Sequence, residues 1–225
     1  MKSIILFGSI ARNDSRDTSD IDLLLITRQE IRPREVKKTI PKALLPQKRS
    51  ISLSTYTEAR FCAAYEKGSL FLAHLIYEGE VLYDNGFYRN LRQKVFKLSE
   101  QKMKTTLKVL KEKLKVTDDL RKYNSLYIGV LADFFSISRN LAYNLLAMKG
   151  EVVFNKRIAF SRLAEILPHY KREICELYDL EPFFLRNVKG ISEPLPFSPY
   201  YCEEKVVRMR ENVKRILVGV TENDQ

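Results

Sequence analysis

Apolar positions follow two rhythms along the chain: short runs of strand length up to residue 86, then recurrence at helical spacing. Residues 3–7 and 21–26 are β-branched and leucine-rich runs flanked by turn formers, and residues 50–56 alternate Ile51 and Leu53 with Ser52 and Ser54, which predicts three strands. Between the first two lie Asn13-Asp14-Ser15 and Asp17-Thr18-Ser19, turn and capping chemistry that predicts a connection with one short helical turn. Residues 34–42, framed by prolines, predict a helix. Residues 57–79 carry Phe61, Ala64, Tyr65, Leu72, Leu75 and Ile76 at helical spacing, and residues 80–83 predict a short closing strand.

Past Asn85-Gly86 the pattern is helical: Leu91, Val95 and Leu98, then Leu107, Leu110 and Leu114 with lysines on the other face. Residues 123–149 read as a long apolar helix ended by Gly150, Asn155 as the cap of a helix stopped by Pro168, residues 190–199 as a proline-rich loop, and residues 203–218 as a charged helix. The fold class expected is α+β: a mixed sheet with helices in residues 1–86, followed by an all-α bundle in residues 87–225.

With 225 residues, 45% of them hydrophobic and 30% charged, the chain can bury a substantial core and is neither disordered nor fibrous. No apolar run approaches the roughly 20 residues of a membrane span, and Gly8 and the charges after it end the first run too early for a signal peptide, so a cytoplasmic protein with no membrane partner is expected. Cys62, Cys175 and Cys202 match no zinc or redox spacing. A net charge of +11 suits an anionic partner, whether nucleoside triphosphate, RNA or an acidic protein surface. The basic residues from Arg32 to Arg49 and the lysine face from Lys102 to Lys115 are two segments that would flank the cleft and guide a polyanion.

The candidate chemistry lies in Gly8-Ser9-Ile10-Ala11-Arg12 and Ser19-Asp20-Ile21-Asp22-Leu23, each abutting an expected strand. Strand alternation puts Asp20 and Asp22 on one face while Ile21 and Leu23 enter the core. Two carboxylates this close repel unless a cation lies between them, and oxygen-only donors suit Mg²⁺ or Mn²⁺. Gly8 lets backbone N–H groups approach a phosphate, Ser9 adds a hydroxyl donor and Arg12 a positive charge. The chain has no Walker-type Gly-Lys-Ser/Thr run.

Gly8-Ser9-x-Ala11-Arg12 with Ser19-Asp20-Ile21-Asp22-Leu23 resembles the signature of the DNA polymerase β-type nucleotidyltransferase superfamily, in particular its minimal and kanamycin nucleotidyltransferase-like members. The resemblance implies a domain that binds a nucleoside triphosphate, ATP foremost, with Mg²⁺ or Mn²⁺. It would transfer a nucleoside monophosphate to an acceptor hydroxyl on a protein, an RNA or a small molecule. Asp20 and Asp22 would be the catalytic metal-holding residues, and Gly8, Ser9 and Arg12 the nucleotide-binding ones.

The chain departs from this pattern in two places. Relatives carry a third acidic residue on a later strand, where Ser52 and Ser54 stand here; Glu58, just beyond, could reach in to replace it, and a helix start more often uses such a residue as a cap. Relatives also carry a helix before the first strand, and a sheet edge left uncovered would favour a homodimer or other partner. The alternative to an enzyme is therefore a degenerate nucleotidyltransferase that acts by binding, as an antitoxin or defence-system component.

Residues 127–157 resemble the helical domain related to HEPN domains that accompanies these enzymes, which brings in a toxin-antitoxin partner as a further expectation. Arg162 and His169 have the count of the HEPN ribonuclease pair, but Pro168 interrupts their helix, and the count is read as coincidence. His74, among Leu72, Leu75 and Ile76, is read as a core histidine satisfied by backbone.

Overall fold

The structure, a computed structural model, describes residues 1–17, 19–39, 50–115 and 117–222. It divides into two compact units, Met1–Lys102 and Met103–Gln225.

The first unit is built on a four-stranded sheet of β1 (Ser3–Phe7), β2 (Ile21–Thr27), β3 (Ile51–Thr57) and β4 (Glu80–Asp84), in the order β3-β2-β1-β4. β1 is antiparallel to β2 and β4, and β2 is parallel to β3, so the sheet is mixed as expected. The β1–β2 connection includes the single helical turn α1 (Gly8–Ala11). A parallel pair needs a crossover, and the one from β2 to β3 includes α2 (Pro33–Thr39). The rest of the helix expected over residues 34–42, together with Lys42, Lys48 and Arg49 of the basic segment, lies outside the described residues.

Helices α3 (Glu58–Glu66), α4 (Leu70–Glu78) and α5 (Phe87–Arg92) complete the unit. Residues 57–79 thus form two helices where one was expected. Gly68 separates them with φ +60°, and a Cβ there would overlap the carbonyl of Lys97, so no other residue fits the break without strain. Sheet residues Ile5, Phe7, Leu24 and Ile26 pack with Phe61, Tyr65, Leu72, Leu75, Ile76, Tyr88 and Leu91. α5 contributes Tyr88 and Leu91 to this core, although the helical domain was expected from residue 87. Residues 93–99 are not helical and Val95 is 81% exposed, which corrects the continuous helical reading of this stretch.

The core also corrects the reading of β2. Leu24 and Ile26 belong to it, whereas Ile21 and Leu23 are only half-buried. By strand alternation Asp22 shares its face with Leu24 and Ile26. The carboxylate therefore ends an apolar stripe instead of facing away from it.

The second unit is helical: most of α6 (Glu100–Lys115), then α7 (Ile128–Met148), α8 (Lys156–Ile166), α9 (Lys171–Tyr178), α10 (Glu181–Lys189) and α11 (Glu203–Glu222). Met103, Leu107, Leu110 and Leu114 form the buried stripe of α6. α7 begins later than expected, because Asn124 and Ser125 take left-handed backbone angles of 47° and 60° that no helix continues. The capping expectations hold: Asn155 Oδ1 accepts from Ile158 N–H at 3.0 Å, and Gly150 follows α7 with φ +85°. Among the described residues no helix is long and apolar enough to cross a membrane.

Candidate active site

The ends of three strands converge at Asp22. It pairs across β1 with Phe7 and across β3 with Ser52, and Gly8 follows Phe7 with φ +79°. A Cβ at Gly8 would overlap Asp22 Oδ2, so the turn leaves the strand in a conformation and at a distance that only glycine accepts. Gly8 and Asp22, picked out on sequence alone, are thus in direct apposition. Ser50 Oγ donates to Asp20, and Ser52 stands opposite Asp22 in the register, where its hydroxyl favours the charged carboxylate. Asp22 and Ser52 are partners in the sheet register, whereas Asp20 and Ser50 each stand one residue before their strand.

Burial pushes the Asp22 carboxyl above its usual range, and the Ser52 hydrogen bond and the charges of His74 and Arg12 only partly offset this. The cause is its place at the end of the Leu24–Ile26 stripe. Ser52 stands beside Asp22 where a third acid was sought. Glu58 does not supply one: it pairs with Lys2 at 3.0 Å after the far end of β3, about 16 Å of strand from Ser52.

Two residues outside the motif join the site. Arg12 Nε meets Asp14 Oδ2 at 3.1 Å, and one terminal nitrogen of its guanidinium meets Glu78 Oε2 at 3.0 Å and His74 Nε2 at 3.1 Å. His74 Nε2 lies 3.0 Å from the same Glu78 oxygen. The ring stands edge-on to Phe7, with centroids 5.5 Å apart. His74 is therefore bound to side chains of the site, which corrects its reading as a core histidine satisfied by backbone. Burial alone would raise the Glu78 carboxyl, but the His74 hydrogen bond and Arg12 bring it below its usual range. The available sequence signal was the His74–Glu78 spacing of four on an α4 face; nothing local linked that face to Arg12.

The donors suit a hard divalent ion: two carboxylates with serine hydroxyls beside them, all oxygen. Among the described residues no group of three or more His, Cys, Asp or Glu side chains is placed to hold a metal. An ion here would complete its shell with water and phosphate oxygens, the usual habit of Mg²⁺.

In the helical unit, Arg162 is gripped by Glu151 at 2.9 Å and also by Glu165, while His169 lies in a separate 3₁₀ turn after α8.

Residues 1–87 match the family model described as polymerase beta, nucleotidyltransferase. The fold is that of a nucleotidyltransferase. Among solved structures it is similar to spectinomycin adenyltransferase from Enterococcus faecialis, crystallised with ATP and spectinomycin, with TM-score 0.52 and 15% identity over 95% of this chain and 91% of that one. No curated protein sequence matches the chain. The family match rests on residues 1–87, and the likeness to the adenyltransferase bears on the fold.

Proposed function

We propose that this protein is an ATP-dependent nucleotidyltransferase that transfers AMP to an acceptor hydroxyl and releases pyrophosphate. The observation that carries this reading is the apposition of Gly8 and Asp22 at the strand ends, which brings the glycine turn against one carboxylate of the Asp20-x-Asp22 motif. Asp20 and Asp22 would hold the divalent ions, and Gly8 and Ser9 the triphosphate. The ions, when bound, supply charge neutralisation at the attacking and leaving oxygens. Ser52 orients the Asp22 carboxylate, and burial keeps its field strong.

Likeness to the spectinomycin enzyme extends over nearly the whole of both chains and favours a small hydroxylated acceptor over a macromolecule. The net charge of +11 favours an acceptor without a strong positive charge. A second reading, binding without turnover, is favoured by Ser52, since a serine hydroxyl does not accept a proton at neutral pH unaided.

The test is incubation with α-labelled ATP and Mg²⁺ against aminocyclitols, neutral polyols, RNA and protein acceptors. The enzyme reading expects label on a small acceptor, falling at least about 100-fold in Asp22→Ala. ATP binding with no transfer to any acceptor would establish the second reading instead.

A further inference from the structure

The motif gives Arg12 to the nucleotide, yet its guanidinium is held from two sides. Asp14 takes Nε, Glu78 takes a terminal nitrogen, and His74 contacts both Arg12 and Glu78. The side chains of Arg12, Glu78 and His74 are only 17%, 18% and 16% exposed, so this is a shielded cluster and not a surface ion pair that water would loosen. Arg12 N–H also donates to the Gly8 carbonyl at 3.2 Å, so a force on the arginine reaches Gly8 through one helical turn. Gly8 in turn lies so close to Asp22 that a Cβ on it would overlap Asp22 Oδ2.

We propose that Glu78 and His74 are positioning residues: they anchor Arg12 to α4, and Arg12 acts as a strut that fixes the Gly8 turn against Asp22 rather than as a ligand of the triphosphate. Two carboxylates on one guanidinium leave it little net charge to offer a phosphate. What the cluster supplies is a bridge between a loop and a helix more than 60 residues apart in sequence.

The two roles of Arg12 predict opposite signs for Glu78→Gln. If Arg12 were a phosphate ligand, Glu78 would compete for it, and removing the carboxylate charge would tighten ATP binding. If Arg12 is a strut, the same change loosens the turn and weakens binding, by about 10-fold. The experiment measures the ATP dissociation constant in Mg²⁺ for the full chain, and amide hydrogen exchange at residues 9–13 without nucleotide. Support is weaker ATP binding, faster exchange, and an Arg12→Ala/Glu78→Gln double variant that binds ATP no worse than Arg12→Ala alone. Unchanged or tighter ATP binding, or unchanged exchange, overturns the proposal. The nucleotide readout rests on the proposed function. If the wild-type protein binds no ATP, that reading fails while exchange still decides the strut, faster exchange supporting it and unchanged exchange overturning it. Should Glu78→Gln fail to fold, His74→Gln is read in the same way.

Discussion

At the end of the sheet where β1 begins and β4 finishes, Asp84 accepts from the Ser3 hydroxyl at 2.6 Å and from the backbone N–H groups of Tyr88 and Arg89 at 3.0 Å each, and Lys2 pairs with Glu58. At the opposite end, where β1 finishes and β2 begins, lie Asp20, which accepts from Ser50, and Asp22, which has Ser52 opposite it in the register. Burial tends to raise both Asp84 and Asp22, but the hydrogen bonds to Asp84 win and hold it below its usual range, whereas those to Asp22 lose. The same residue type on the same four strands is thus structural at one end and left under-compensated at the other. A carboxylate left under-compensated by its surroundings is the kind of group that functional sites use.

The sharpest way to break this contrast is to disturb the unsatisfied end sterically. Gly8→Ala introduces a Cβ into a left-handed backbone position and against Asp22 Oδ2, so either the turn or the carboxylate must shift. The backbone cost is about 1–2 kcal/mol. The loss of transfer is expected to be larger, about 100-fold, because a displacement near 1 Å at the reacting centre has that effect. Steady-state kinetics beside thermal unfolding separate the two; a Gly8→Ala variant with wild-type turnover would show that the apposition has no part in the chemistry.

The sequence makes much of this sheet legible, and the reasons it stops short are physical. The strand runs and the glycine turn are local patterns, and each appears where expected. The face on which Asp22 lies is not legible, because residues 21–26 are apolar on both sides of the strand around it. Alternation then does not say whether the Ile21–Leu23 set or the Leu24–Ile26 set meets the helices. The Arg12–His74–Glu78 cluster depends on a long-range approach between a loop and α4, for which no period in the chain gives a signal. Asn155 shows the opposite case in the helical unit: its cap is a contact over three residues, fully determined by local geometry.

A second test exchanges charge for amide at the two ends. The folded protein holds Asp84 lower than the unfolded chain does, so its charge adds stability above the unfolded value, and that contribution is lost as pH falls through the folded one. Asp22 is raised, so its ionisation costs stability above the unfolded value, and that cost is relieved as pH falls. Asp84→Asn should lower the melting temperature at pH 7, with the deficit shrinking in acid. Asp22→Asn, in metal-free buffer, should raise the melting temperature while abolishing transfer. Shifts of the same sign in both variants would erase the distinction between the two ends.

The smallest expected effects come from deleting one hydroxyl at each end. Ser3 is fully buried and donates to a charged acceptor, so Ser3→Ala removes a charge-assisted hydrogen bond from Asp84 and should cost about 2 kcal/mol with turnover unchanged. Ser52 is half-buried beside Asp22, where water can take the place of the lost hydroxyl, and Ser52→Ala should cost under about 1 kcal/mol. Its effect should appear in catalysis, because the hydroxyl is what orients Asp22; a loss of about 1 kcal/mol of transition-state stabilisation is roughly a fivefold fall in rate. Chemical denaturation and turnover measured on both variants should therefore move in opposite proportion. If Ser52→Ala loses stability as Ser3→Ala does and keeps full turnover, Ser52 is a structural donor like its counterpart at the other end, and Asp22 must take its orientation from elsewhere.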